Sequence, residues 1–160
     1  MDKGKGWIDP VKYGEICGIL PIVTTDVAVF NNNKLLLLKR IIPPLEGTWC
    51  LPGGGIRLGE TLVQSASRRL FDETGIITEN LIECHHVINY LYPSIAKHNI
   101  GIAFVTSVTN ETIIMDEQHD AYVWADINNL PEQIDLIMMH QITNCIRTFY
   151  DDGWKLNYGI

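Results

Sequence analysis

The sequence predicts a mixed α+β domain, and three observations carry that prediction. Stretches rich in β-branched residues stand on both sides of one central amphipathic helix. That helix follows a proline and three consecutive glycines, Pro52, Gly53, Gly54 and Gly55. A second helical pattern occupies residues 136–151.

In chain order, residues 1–8 are expected to be loose. Asp9-Pro10 starts a short helix, with Asp9 as N-cap and Pro10 in the first helical position, running to about Cys17 and ending near Gly18. Residues 20–30 read as a strand. Asn31, Asn32 and Asn33 form a turn of residues that tolerate positive φ. The return strand at 34–41 holds four successive leucines, which predicts burial on both faces. A proline-containing loop at 42–47 leads to a short strand at 49–52 and the glycine turn. The central helix follows, with Glu60 in its first turn, a buried stripe of Leu62, Ala66 and Leu70, and Gly75 as its αL stop. Further strands are expected at 81–92, 99–108, 112–115 and 121–125. A hairpin tip or loop over 93–98, a turn at Asn110-Glu111 and a polar loop at 116–120 separate them.

A chain of 160 residues suits one core, so a single domain over residues 1–160 is expected. With 46% hydrophobic residues it is no disordered chain. The net charge of −7 and the lack of a basic run argue against non-specific binding to nucleic acid or membrane surfaces. A small anionic substrate stays open, because a metal and one or two arginines can outweigh the global charge locally. Cys17, Cys50, Cys84 and Cys145 show no CxxC spacing, which leaves zinc little support. The start MDKGKGWIDP has no apolar core, and no apolar run approaches the ~20 residues needed to span a bilayer. The expectation is a cytoplasmic protein with reduced cysteines.

The most informative stretch is residues 51–77, LPGGGIRLGETLVQSASRRLFDETGII. Glycines let a backbone come close to a ligand, and Asp72 and Glu73 add two carboxylates beside that turn. Together they can hold a hard divalent cation such as Mg²⁺. The plain alternative is a solvated helix face with an Arg69–Glu73 pair. The spacing of Gly54, Glu60, Arg68, Asp72, Glu73 and Gly75 resembles the Nudix box. The resemblance implies a Nudix fold, a mixed β-sheet sandwiched between α-helices (an α/β/α sandwich). Two positions depart from the family pattern. Asp72 replaces a glutamate, and Arg69 stands where many members keep a glutamate that binds metal or acts as base.

The segment DEQHDAYVW, residues 116–124, and most of the remaining chain are similar to the GDP-mannose mannosyl hydrolase branch of that family. That branch also lacks the glutamate after the box arginine. The resemblance implies a Mg²⁺ site at Gly53, Glu73 and Gln118, with Asp72 in a supporting position. It implies His119 as general base, Asp26 as a substrate contact, and Arg40 both contacting the diphosphate and stabilising its charge. A histidine suits the base role because its ordinary pKa lies near ~6.5. An arginine suits a diphosphate because its planar fork can pair with two phosphate oxygens. Gly55 and Asn99 replace an arginine and an aromatic residue of that branch, which bears on which sugar or base is bound.

The function expected from the resemblance is a Mg-dependent hydrolase of a nucleoside diphosphate derivative, foremost a nucleotide sugar, releasing sugar and nucleoside diphosphate. Two alternatives stand beside it. One is an ordinary Nudix pyrophosphohydrolase attacking phosphorus of a nucleoside triphosphate or an ADP-ribose-like substrate. The other is a catalytically silent nucleotide-binding module, in which Arg69 replaces the metal. The partner is a small nucleotide in each case, with no nucleic acid or membrane, and a homodimer is expected from the resemblance alone. Trp49, Tyr90 and Tyr92 could stack on a base, although strand aromatics more often pack in the sheet. His85, His86, His98 and His140 carry no ligand spacing.

Overall fold

The computed structural model describes residues 8–92, 97–109 and 111–151. Its elements are α1 (Pro10–Cys17), β1 (Ile22–Asn31), β2 (Lys34–Arg40), β3 (Trp49–Cys50), β4 (Gly53–Gly55), α2 (Leu62–Thr74), β5 (Ile82–Tyr92), β6 (Lys97–Ser107), β7 (His119–Asp126) and α3 (Leu136–Asp151). The seven strands form one mixed sheet. β1 and β6 pair in parallel from Ile22 with Asn99 to Phe30 with Ser107, while β5 lies antiparallel on the far side of β6.

The β1–β2 hairpin closes only at its turn, where Phe30 faces Leu35 and Asn31 faces Lys34. Beyond that the two strands part, and residues 49–55 fill the gap. Trp49 and Cys50 pair with Lys39 and Leu38 on β2, and Gly53–Gly55 pair with Asp26, Thr25 and Thr24 on β1. The glycine turn is therefore itself a strand, held in the middle of the sheet.

Alternation along the strands sorts side chains onto two faces. Leu35 and Leu37 of β2 meet Ala28, Phe30, Ala103 and Val105 beneath α3. Leu36 and Leu38 meet Val27, Val29 and Phe104 beneath α2. The four-leucine run is thus buried on both faces, as its composition predicts, and the sheet is flanked by helices in the Nudix arrangement. The same parity turns Asp26 towards α3 and Thr25 towards α2, where its hydroxyl lies 3.0 Å from Ser65.

Local signals explain the helix ends. Asp9 Oδ1 accepts from the Val11 N–H at 3.0 Å. At α2 the cap is Thr61, in a reciprocal box with Gln64, so Glu60 lies just outside the helix rather than in its first turn. Gly75 ends α2 at φ +74° and donates its N–H to the Phe71 carbonyl. The strand expected at 112–115 is not formed. Ile114 instead donates its N–H to the Thr74 carbonyl at the end of α2, and Ile113 and Met115 pack on the core beside α2. The looseness expected of residues 1–7, the hairpin tip at 93–96 and the turn residue Asn110 fall outside the described residues. No described helix is long and apolar enough to cross a membrane.

Candidate active site

Three elements meet at the parted β1–β2 hairpin: the β4 glycines, the inner face of α2 and the start of β7. They surround a cavity of about 610 Å³, a size suited to a nucleotide-scale ligand. Arg40, Arg57, Arg68, Arg69 and Lys97 line it, against Asp26 and Glu73. A protein of net charge −7 thus presents a locally cationic pocket, which favours an anion.

Glu73 sits at the bottom with its side chain 2% exposed. The Gly53 N–H donates to its Oε2 at 2.9 Å. Its Oε1 lies 3.3 Å from Arg69 Nη2, yet neither Glu73 Oε1 nor Arg69 Nε has a hydrogen-bond partner among the described residues. Burial raises the Glu73 carboxyl to about 7, opposed by the Arg69 charge and the Gly53 N–H. Asp72 is elsewhere. Its carboxylate is 42% exposed, 3.5 Å from Arg68, on the outer side of the helix. The pairing of Asp72 with Arg69 that helix spacing allows is not made, because Arg68 takes it.

Gly53 and Gly54 are required by what lies against them. A Cβ on Gly53 would fall 2.1 Å from Asp26 Oδ1, and one on Gly54 would fall 1.8 Å from Arg69 Nη2. Asp26 is buried, and its Oδ2 accepts from Gln141 Nε2 of α3 at 3.0 Å. Burial raises its carboxyl to about 6, and the Gln141 bond, Arg69 and Arg40 pull the other way.

His119 opens β7. The register of β7 against β2 shifts between Lys39 and Arg40, so that Arg40 faces His119 while Lys39 faces Ala121. Asp120 is the extra residue of this bulge and points to solvent, whereas His119 is buried in the cavity wall. Bulges re-aim side chains in this way. The ring is oriented by Asp116. Asp116 Oδ1 lies 2.7 Å from His119 Nδ1, and its Oδ2 accepts from Gln118 Nε2 at 2.9 Å. A carboxylate at Nδ1 assigns the proton there and leaves Nε2 as the acceptor. Nε2 lies 3.9 Å from Cys50 Sγ. Burial pushes the His119 pKa below its ordinary value, with Asp116 opposing, so the ring is neutral at pH 7.

Arg40 also lines the cavity, but much of its fork is committed. Nε donates to the carbonyls of Ile42 and Pro44 at 3.0 and 2.7 Å, and Nη2 donates to that of Pro43 at 3.3 Å. It pins the proline loop to the rim and contributes positive charge to the pocket. Asn99 and Tyr90 complete the floor, with Asn99 Nδ2 donating to the Tyr90 hydroxyl at 3.3 Å.

Asp116, Gln141 and Lys97 were not singled out by sequence reasoning. For Asp116 a signal existed, since an Asp that opens a polar turn caps the N–H two residues on, here that of Gln118 at 3.1 Å. For Gln141 it was one polar residue in the apolar stripe of Met138, Ile142, Cys145 and Phe149. Lys97 carried none.

Hard oxygens are what the site offers a cation. They are Glu73 Oε1, which lacks a hydrogen bond, the Gln118 side-chain oxygen, whose amide nitrogen is held by Asp116, and the carbonyls of the glycine strand. This set fits a hard divalent ion. It is sparing in charge, and among the described residues no three His, Cys, Asp or Glu side chains gather into a metal cluster.

The family model of the NUDIX domain matches residues 20–144. The chain belongs to the NUDIX family. As a Nudix hydrolase it is 30% identical over 118 residues to an ADP-ribose pyrophosphatase of Methanocaldococcus jannaschii, covering 70% of this chain and 66% of that protein. It is 24% identical over 156 residues to an RNA pyrophosphohydrolase of Bartonella clarridgeiae, covering 86% and 90%. It is 27% identical over 123 residues to the low-salt glycan biosynthesis protein Agl8 of Haloferax volcanii, covering 74% and 79%. Among solved structures, the MutT NUDIX hydrolase of Burkholderia pseudomallei superposes with a TM-score of 0.72 at 22% identity, over 78% of this chain and 98% of that one. This likeness shows the fold.

Proposed function

We propose that this protein hydrolyses a nucleoside diphosphate derivative, that the substrate is a nucleotide sugar, and that His119 is the base that activates water. The observation that carries this reading is the His119–Asp116 pair. A buried neutral imidazole in the wall of a cationic cavity has its Nδ1 held at 2.7 Å, which directs the Nε2 lone pair to act as acceptor. The box-helix position that commonly supplies a carboxylate is Arg69 here, and a guanidinium takes no proton at neutral pH. The resemblance to the GDP-mannose mannosyl hydrolases points to the same histidine.

On this reading Glu73, Gln118 and Gly53 hold Mg²⁺. The ion's chemistry is neutralisation of the diphosphate, which improves it as a leaving group. Asp72, on the outer side of α2, is paired with Arg68 and stands apart from that set. Arg40 and Arg69 add positive charge where the diphosphate lies, and Asp26 offers its carboxylate as an acceptor to a substrate hydroxyl. Water gives its proton to His119 Nε2 while its oxygen bonds to the anomeric carbon. The bond from that carbon to the diphosphate oxygen breaks, and the electron pair leaves with the nucleoside diphosphate. A single domain working in the cytoplasm as a homodimer completes the proposal, and light scattering after size exclusion tests the dimer.

A second reading has water attack phosphorus, as in a pyrophosphohydrolase. It is favoured by Glu73, whose buried carboxyl at about 7 can also take a proton, and by the names of the M. jannaschii and B. clarridgeiae relatives. Hydrolysis of a panel of GDP- and ADP-linked sugars in oxygen-18 water decides between the two. Label in a free sugar, beside an unlabelled nucleoside diphosphate, supports attack at carbon. Label in a phosphate, with nucleoside monophosphate and sugar phosphate as products, establishes the second reading.

A further inference from the structure

We infer that Arg69 is a resident counter-cation for Glu73, and that a divalent ion entering the cavity has to displace it from Glu73 Oε1. The inference rests on the metal-binding part of the proposed function and deepens it. Three independent observations meet in this pair. Arg69 Nη2 stands 3.3 Å from the carboxylate oxygen that any cation at Glu73 would use. The contact is only half made, since Glu73 Oε1 and Arg69 Nε are both buried without a hydrogen bond among the described residues. The space for the guanidinium is built in, because Gly54 has no Cβ and any Cβ there would overlap Nη2.

A buried guanidinium normally spends its N–H groups on acceptors. Arg68, one residue earlier, does so. Arg69 instead holds a carboxylate that keeps an oxygen in reserve. A divalent ion bound to Glu73 Oε1 and a guanidinium 3.3 Å from that same oxygen would repel each other strongly in so buried a place. The two therefore compete, and the winner depends on ion concentration. Once released, the guanidinium remains in the cavity, free to turn its fork to a phosphate of the ligand. The arginine at this box position thereby weakens the site for the ion alone and favours filling it together with an anion.

The test measures Mn²⁺ binding to the full chain without any nucleotide, by the electron paramagnetic resonance signal of free Mn²⁺. Arg69→Met keeps the length of the side chain and deletes its charge, and Arg69→Lys keeps the charge. Arg69→Met should bind Mn²⁺ at least tenfold more tightly than wild type, and Arg69→Lys should stay within about threefold of wild type. Glu73→Gln, made in both the wild-type and Arg69→Met backgrounds, should abolish the binding. Equal or weaker binding by Arg69→Met overturns the inference. So does tight binding that survives Glu73→Gln, because the ion would then sit elsewhere. Absence of Mn²⁺ binding from every variant overturns the inference and the metal reading together. Oxygen-18 label found at phosphorus overturns only the proposed reaction, because the binding measurement contains no substrate.

Discussion

Two arginines stand next to each other on α2 and live in opposite circumstances. Arg68 is paired throughout. Its Nε lies 2.5 Å from Glu60 Oε1, and its Nη2 donates to Glu60 Oε2 at 2.8 Å and to the Gly55 carbonyl at 3.2 Å. Glu60 also accepts from the Arg57 N–H at 2.8 Å. Arg69, about 100° further round the helix, faces into the cavity with an unbonded Nε beside an unbonded carboxylate oxygen. The first cluster ties the loop before α2 to the helix and to β4, and its bonds are complete. The second leaves bonds unmade where a ligand would make them. Incomplete hydrogen bonding inside an otherwise well-satisfied fold marks the part of the molecule meant to exchange partners.

The contrast is open to attack from both sides, and the largest effect should come from the cavity. Glu73→Gln preserves shape and removes the charge that holds a cation. It should lower turnover roughly a thousandfold or more and still yield a folded protein, as read by steady-state kinetics beside circular dichroism. A Glu73→Gln enzyme of near wild-type rate would make the unsatisfied pair merely structural.

His119→Gln should cost at least ~100-fold in rate. In wild type the rate should climb as pH rises through one ionisation lying below the ordinary histidine value, because burial disfavours the imidazolium. That limb should vanish from the pH–rate profile of the variant. If it persists, the titrating group is not His119.

Asp26 sharpens the comparison through stability. Its folded-state pKa of about 6 exceeds the ordinary carboxyl value. Between about pH 4 and pH 6 the folded protein keeps a proton that the unfolded chain has released, so this group removes stability as pH rises through that window. Asp26→Asn retains an acceptor for Gln141 and abolishes the titration. In chelator-treated protein, its stability relative to wild type should improve by about 2–3 kcal/mol between pH 4 and pH 8, measured by urea melts at both pH values. An unchanged difference would mean that Asp26 ionises in the fold as readily as in water.

The smallest effect belongs to the completed cluster. Glu60→Gln should destabilise the fold by about 1 kcal/mol at neutral pH and leave Mn²⁺ binding as it was. The hydrogen bond from Arg68 holds the Glu60 carboxyl down at about 2. The contribution of Glu60 is therefore complete above its ordinary carboxyl value and is lost as pH falls towards 2, so wild type and variant should converge in acid. A loss of metal affinity in Glu60→Gln would erase the division between the two clusters.

The legible parts of the chain were those governed by local rules. The Asp9-Pro10 start, the stripe of Leu62, Ala66 and Leu70, the Gly75 stop and the extent of α3 follow from neighbours within a few residues, and they lie where the pattern puts them. The burial of the leucine run on both faces was readable from its composition. What was not legible depends on who arrives from afar. Residues 112–115 carry strand-like composition but answer to the end of α2. The helix spacing offers Arg69 both Asp72 and Glu73, and only packing against Gly54 assigns it to Glu73. Asp116 reaches His119 across the turn that precedes β7, a contact that no helix or strand periodicity encodes.

The bond between Gln141 and Asp26 spans 115 positions of the chain, and this has a consequence for how the protein is made. A chain leaves the ribosome N-terminus first. β1, which carries Asp26, emerges before its parallel neighbour β6 and before the α3 donor that satisfies the carboxylate. Until α3 is present, the Asp26 carboxylate has no Gln141 amide to meet it. The wall of the pocket around Asp26 is therefore completed only once α3 has emerged and packed beside β1.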